Sequence, residues 1–423
     1  MKLAMANVSD LRRLGAQGWL PLLFAAWLLL AVLTPEEVYR TFFHALIYPL
    51  TLYLLVRKDS MAVWQDPFIR LFLLFCGYMA VTTWLVGSDP ADDDAQAMRW
   101  AFEAALGILG YFLWMRAVVS RPGFWARWFL VVALAGALSG LLFSLQEAFQ
   151  GGRIQGFGVM GHPIQGASIA TVFLATGLFL TFREDSSASR SDILLAMVSV
   201  VSVCAFVTLS QSRAPLIALL LYLFFLAGFL GYRYRRPATI FALLLVTACV
   251  VILLQWFIGL GVLSDQLISR GGSYRFEIWA AYLTYPPESV LLGNGAGLDF
   301  GLTDAAKLHL EPMGLDIAHP HNIWLGAFVE NGLIGVLMQA GLVMLPAIAV
   351  SRSRLALRTR LHLLAILVLF LLLTFTDEYT LVTSVHPIWF VGWIPLVFVW
   401  VWSRYRTDEN GSAIGDSVTV GER

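Results

Sequence analysis

Apolar residues run along this chain in long blocks separated by short polar turns. Twelve blocks follow one another, at 18–33, 41–56, 67–86, 100–119, 124–149, 163–182, 193–209, 215–230, 238–260, 321–350, 361–376 and 386–403. A bilayer core takes roughly 20 apolar residues as helix. Backbone polar groups left unpaired in lipid force helix over open sheet. The pattern predicts an all-α, polytopic integral membrane protein of about 12 transmembrane helices. It divides into nine helices over 1–260, a large loop over 261–320, three helices over 321–403 and a polar tail over 404–423.

The loop is the one long interruption, and loops of that length carry function or structure of their own. Within it Phe276, Trp279, Ala280 and Leu283 repeat at helical spacing. They predict a short amphipathic helix suited to the membrane surface. Ser273 is placed to cap it, and Pro286-Pro287 to stop it. Gly136-x-x-x-Gly140 allows two helices to approach closely.

Composition agrees. The chain is 59% hydrophobic and 13% charged, with a mean hydropathy of +0.74, where soluble domains carry about 25% charge. Twenty-eight basic and 28 acidic residues balance, which excludes a polybasic nucleic-acid binder. Cys76, Cys204 and Cys249 all lie in apolar blocks and read as buried thiols, without disulfide or metal-ligand spacing. Lys2, Arg12 and Arg13 precede the first block as in a signal peptide. No small-residue cleavage site follows, so an uncleaved first helix is expected.

With the N-terminus cytoplasmic, twenty Lys and Arg fall in inner segments and seven in outer ones: Arg40, Arg99, Arg153, Arg213, Arg270, Arg275 and Lys307. Arg70 lies inside or beside a block, which completes the 28. This asymmetry is a positive-inside signal with both termini in the cytoplasm. The tail from Thr407 is polar and expected to be disordered.

Few charged groups are left on the outer side to carry chemistry. Arg213 follows Ser210-Gln211-Ser212 in a very short turn. It is either an interfacial arginine or a ligand for phosphate oxygens, which its planar fork fits. Arg275 falls in the first turn of the loop helix, where a cation opposes the helix dipole unless an anion binds there too. Arg153 and Arg270 are further candidates. His319-Pro320-His321-Asn322 stands where the loop enters the tenth block. Its histidines are interfacial side chains or a general base, with Asn322 beside them to orient substrate or ring. Pro320 limits joint chelation, so no metal or other cofactor is expected. Asp92-Asp93-Asp94, Glu36-Glu37 and Asp377-Glu378 read as solvated surface charges, and Glu330 as a group facing other helices. Gly293-Asn294-Gly295-Ala296-Gly297 reads as a loop, without the strand and helix of a dinucleotide fingerprint.

His321-Asn322, nine residues, then Gly332-x-x-Gly335 resembles the His-Asn-x9-Gly-x-x-Gly pattern of bacterial O-antigen ligases. Ser210-Gln211-Ser212-Arg213-Ala214-Pro215 is similar to that family's arginine turn, with Ile217 where leucine is usual. The resemblance implies a metal-independent inverting glycosyltransferase of the bacterial inner membrane, with its site facing the periplasm. Its donor would be a glycan on undecaprenyl diphosphate, its acceptor a sugar hydroxyl of lipid A–core, and its surroundings membrane lipid. In that scheme His321 is the base and Arg213 holds the diphosphate, joined by Arg275 on the reading of the loop helix given above. His319, Asn322 and Arg153 support them. O-antigen polymerases share this layout and protein O-glycosyltransferases are a further enzyme class. A transporter also fits twelve spans, but would place its polar groups at mid-membrane on broken helices.

Overall fold

In the computed structural model the described residues are 16–57, 61–86, 94–150, 152–234, 274–315, 317, 319–378 and 380–405. Among them the chain forms helices and no strand. In chain order these are α1 (Ala16–Leu33), α2 (Glu36–Phe42), α3 (Tyr48–Val56), α4 (Met61–Gln65), α5 (Pro67–Val86), α6 (Asp94–Ser120), α7 (Pro122–Phe143) and α8 (Leu145–Phe149). After them come α9 (Pro163–Phe182), α10 (Arg190–Leu209), α11 (Arg213–Tyr234), α12 (Arg275–Thr284), α13 (Ile323–Arg352), α14 (Leu357–Thr374) and α15 (Ile394–Tyr405). Single π turns, Phe43–Ile47 and Trp389–Trp393, join α2 to α3 and lead into α15. Eight of the described helices are long and apolar enough to cross a membrane, and a shorter apolar one covers Gly18–Leu33. The ninth expected block, Ser273 and Arg270, Asp92 and Asp93, and the tail from Thr407 all lie outside the described residues.

Sequence chemistry sets the helix ends. Pro122 and Pro163 stand at the first turns of α7 and α9, where a missing N–H does no harm. Ser189 and Asp192 form a reciprocal capping box at the start of α10. Asp66 accepts from the Phe68 and Ile69 N–H groups at 3.0 and 3.2 Å, from the Trp400 indole at 3.0 Å and from the Tyr405 hydroxyl at 2.7 Å. That ties the start of α5 to the end of α15.

The core is aromatic. Trp27 stacks on Phe390 at 4.5 Å, Phe24 on Trp114 at 4.6 Å and Trp389 on Trp393 at 4.1 Å. Helix α9 runs through the middle, buried along nearly its whole length. Gly140 of α7 lies against the Phe206 ring, so closely that a Cβ would fall 2.3 Å from a ring carbon. Gly136, the other glycine of the small-residue spacing, lies against Met160 and Val32 instead.

Helix α13 differs from its expected form. Thirty residues at 1.5 Å each would make it about 45 Å long, against a hydrocarbon core of about 30 Å. The excess is resolved by a break at Gly332 (φ 62°, ψ −167°), which leaves a short first arm and a second arm of membrane-spanning length. Into the break docks the glycine loop. Asn294 and Gly295 donate to the Val329 and Glu330 carbonyls, both at 2.9 Å, and Leu333 donates to the Val290 carbonyl at 2.9 Å. The Gly297 N–H donates to the buried Glu330 carboxylate at 3.3 Å, and the Tyr78 hydroxyl of α5 donates to the Asn331 carbonyl at 2.9 Å. Backbone freed by the break is thus paired inside protein, which is the condition for non-helical chain near lipid.

Candidate active site

The first arm of α13 delivers His321. Asn322 is its N-cap, with Oδ1 accepting from the Trp324 and Leu325 N–H groups at 2.9 and 3.1 Å. Its side-chain oxygen therefore holds the helix start, and Asn322 serves His321 through the backbone. His321 itself is in the left-handed region (φ 51°), uncommon for a residue with a Cβ and a known form of stored strain at functional sites. The conformation is pinned on both sides. The His321 N–H donates to Nδ1 of His319 at 3.3 Å, the two rings lie 4.1 Å apart, and the Trp279 indole donates to the Pro320 carbonyl at 3.1 Å. Burial, followed by the neighbouring His321, lowers the His319 pKa to about 4. A neutral ring is what an Nδ1 acceptor requires.

Opposite His321 lies Asp377, just beyond α14. Its Oδ1 is 3.7 Å from His321 Nδ1 and 3.5 Å from the Arg275 guanidinium. The reading of Asp377-Glu378 as surface charges is corrected, since both are buried. The loop carrying Arg275 and His321 folds over the end of α14 and supplies the charge partners that make burying Asp377 tolerable. Burial, together with the Asp377 charge beside it, raises the Glu378 pKa well above the usual carboxylate range.

Arg275 opens α12 directly after Tyr274, another left-handed residue (φ 56°). The amphipathic helix is present, but its faces need stating. Phe276 and Leu283 of the expected stripe are exposed, whereas Ile278, Ala281 and Tyr282 pack against Leu325 and Val329 of α13. That packing holds Arg275 beside the His321 end of α13.

The arginine turn is linked to this cluster through His162. Gln211 is the remaining left-handed residue other than glycine (φ 53°) among those described, and α11 starts two residues later with Arg213. Arg153 braces the turn, donating through Nε to the Ser210 carbonyl at 2.9 Å and through Nη2 to the Ser212 hydroxyl at 3.0 Å. The Gln211 amide donates to the Gly152 carbonyl at 3.2 Å. His162, at the start of α9, has its pKa lowered first by burial, with Asp377 opposing and Arg153 and His321 reinforcing. One imidazole thus feels both the brace of the arginine turn and the His321–Asp377 pair. His319, His321, Arg275 and Asp377 are in direct contact, Arg153 lies within electrostatic reach, and Arg213 stands at the end of the turn that Arg153 holds.

Sequence reasoning missed Asp377 and His162. Each sits at the end of an apolar block, where an interfacial polar residue is unremarked. For Asp377 the available signal was the apolar Leu381-Val382 that follows, which leaves little solvated loop for two carboxylates.

Chemically, the cluster combines an imidazole backed by a carboxylate with arginines at two helix starts, where dipole and guanidinium both favour an anion. Comparison with known proteins agrees. The family model described as O-antigen ligase matches residues 197–340, a stretch that includes the arginine turn, α12, His321 and the break in α13. An O-antigen ligase of Pseudomonas aeruginosa is 26% identical over 408 residues, covering 94% of this chain and 93% of that protein. In its motif geometry and in both matches, the chain is similar to the O-antigen ligase family.

Proposed function

We propose that the protein transfers a glycan from undecaprenyl diphosphate to a sugar hydroxyl of lipid A–core. The single observation that carries this reading is His321 held at the start of its motif helix with Nδ1 toward Asp377, while Arg275 shares that carboxylate. With Nδ1 facing Asp377, Nε2 is the nitrogen that meets the acceptor. The acceptor hydroxyl gives its proton to Nε2 as its oxygen bonds to the anomeric carbon. The bond from that carbon to the diphosphate breaks, and its electron pair leaves with the diphosphate. Attack opposite the leaving group inverts the anomeric centre.

Arg275 and Arg213 hold the diphosphate and offset the charge that grows on it. A diphosphate is already a good leaving group, so a base and fixed cations suffice and no metal is needed. Asp377 orients the imidazole and stabilises its protonated form. In the charge balance, Arg275 turns toward the diphosphate when the donor arrives, leaving Asp377 to His321. His319 fixes the His321 backbone, Asn322 the helix start and Arg153 the turn that presents Arg213. The charge asymmetry supports a site on the periplasmic side of the bacterial inner membrane, with both termini cytoplasmic.

A polymerase reading, with lipid-linked glycan as donor and acceptor alike, uses the same chemistry. The similarity to an O-antigen ligase of Pseudomonas aeruginosa favours ligation. A transporter is less well supported, because the break in α13 is filled by the protein's own loop and the arginines gather at helix ends. The test is capping of lipid A–core in cells lacking their own ligase. Wild type is expected to cap it. If lengthened lipid-linked chains form instead, the enzyme is a polymerase.

A further inference from the structure

A polar concavity lies along the helix pair that builds the site. It measures about 450 Å³, within the roughly 300–1,000 Å³ of small-ligand sites. Tyr285, Glu288, Asn294, Asp304 and Val329 line it, with Tyr282 beneath. The Tyr282 hydroxyl is spent on the Phe300 carbonyl at 3.2 Å. Among the described residues no ion pair engages Glu288 or Asp304. The half-buried Tyr285 offers a ring, Asn294 an amide, and the lining holds two carboxylates and no cation.

Position gives these groups their meaning. Arg275 to Tyr282 on α12 and Asn322 to Val329 on α13 are each seven residues apart, and the two helices pack side by side. At 1.5 Å per residue the cavity sits about 10 Å along the pair from Arg275 and His321. A short oligosaccharide whose end sugar reacts at His321 would reach it.

We infer that this cavity is a glycan subsite for a neutral or amino-sugar portion of one substrate. An aromatic ring offers an amphipathic platform for the C–H face of a sugar. Carboxylates and an amide accept and donate to hydroxyl and amino groups, and unpaired polar groups there reject a chain that lacks them. Two carboxylates without a counter-cation repel phosphorylated sugars, so the subsite takes an unphosphorylated stretch. The inference rests on the glycosyl-transfer reading for which substrate is held, and not for the binding itself.

The test uses the full chain in nanodiscs and two probes, each followed by saturation-transfer NMR. One is the repeat-unit oligosaccharide released from the lipid-linked donor. The other is core oligosaccharide from uncapped lipopolysaccharide. One probe is expected to bind wild type and His321→Ala alike, and to bind Tyr285→Ala and the conservative double variant Glu288→Gln/Asp304→Asn about tenfold or more weakly. Transfer assays with these variants should show KM for the same substrate rising about tenfold with kcat little changed. The probe that is lost tells donor from acceptor. Binding that depends on these residues in a protein without transfer activity would sink the proposed function and keep the subsite. The subsite is overturned if neither probe binds wild type, or if the cavity variants bind as tightly as wild type.

Discussion

At the scale of single residues, the account depends on a few polar groups held where solvent cannot compete. Asp377 is the sharpest case, because it touches both the imidazole and a guanidinium from inside the fold. Replacing it as Asp377→Asn keeps the shape and removes the charge. The expected result is a fall in kcat of roughly 10- to 100-fold with KM for the acceptor changed little. An equal loss through KM alone would make Asp377 a binding group. His319 carries a pH dependence of defined sign. Its folded pKa is about 4, while an unfolded histidine titrates near about 6.5. Between those values the unfolded chain binds the extra proton, so this contribution is fully present above about 6.5 and is lost as pH falls toward about 4. His319→Gln, which keeps an acceptor, is therefore expected to shrink the drop in melting temperature between about pH 7.5 and pH 5. An unchanged drop would show that His319 is not its source. His321, Arg213, Arg275 and Arg153 were legible in the sequence because charged and imidazole groups are scarce on that side of the chain. Asp377 was not, since a carboxylate after an apolar block looks the same whether it meets water or a folded-over loop.

At the scale of elements, local breaks in regular structure position the chemistry. Gly332 is the clearest. Its backbone angles belong to glycine alone, and a Cβ there would lie 2.3 Å from the Leu291 carbonyl oxygen. Gly332→Ala should expel the docked loop or straighten α13. It is expected to destabilise by at least about 2 kcal/mol, read as a lower melting temperature and faster proteolysis between α12 and α13. Gly228→Ala is the control, as a Cβ at Gly228 meets nothing within 4 Å. Equal behaviour of the two variants would mean the break is not structural. The arginine turn makes a second case. Arg153→Lys cannot reproduce a fork spanning the Ser210 carbonyl and the Ser212 hydroxyl. It should raise KM for the lipid-linked donor by about tenfold, whereas an unaltered donor KM would detach Arg153 from Arg213. Hydropathy located α13 as one block because glycine is apolar enough to pass unnoticed. A length of 30 residues was the clue that it must tilt or break. The loop helix was legible from its spacing; of the stripe expected at the membrane surface, Phe276, Ala280 and Leu283 are exposed and Trp279 is half-buried against the fold. The buried face reads Ile278, Ala281 and Tyr282.

At the scale of the whole molecule, the bundle has two chemically different ends. One gathers Arg127 with Asp192, the Arg233 guanidinium on the Phe182 and Arg183 carbonyls, and Asp66 with Tyr405. The other gathers the arginine turn, α12, the start of α13 and Asp377. If the basic end faces the cytoplasm, a membrane-impermeant maleimide should label Glu288→Cys in intact spheroplasts, in a background lacking native cysteines. Arg354→Cys should react only after permeabilisation, and the opposite pattern would invert the topology. The all-helical membrane class was legible throughout because apolar blocks of that length have few other solutions. The convergence of segments as distant as residues 153, 162, 275, 321 and 377 was not, as helix packing order is not written in hydropathy.

The most direct test of the central claim is transfer of glycan to lipid A–core by wild type and His321→Ala at matched membrane levels. The account predicts capped lipopolysaccharide from wild type. In the variant it predicts a rate lower by about 10²- to 10⁴-fold, with intact glycan left on undecaprenyl diphosphate. Capping at the wild-type rate by His321→Ala would contradict it.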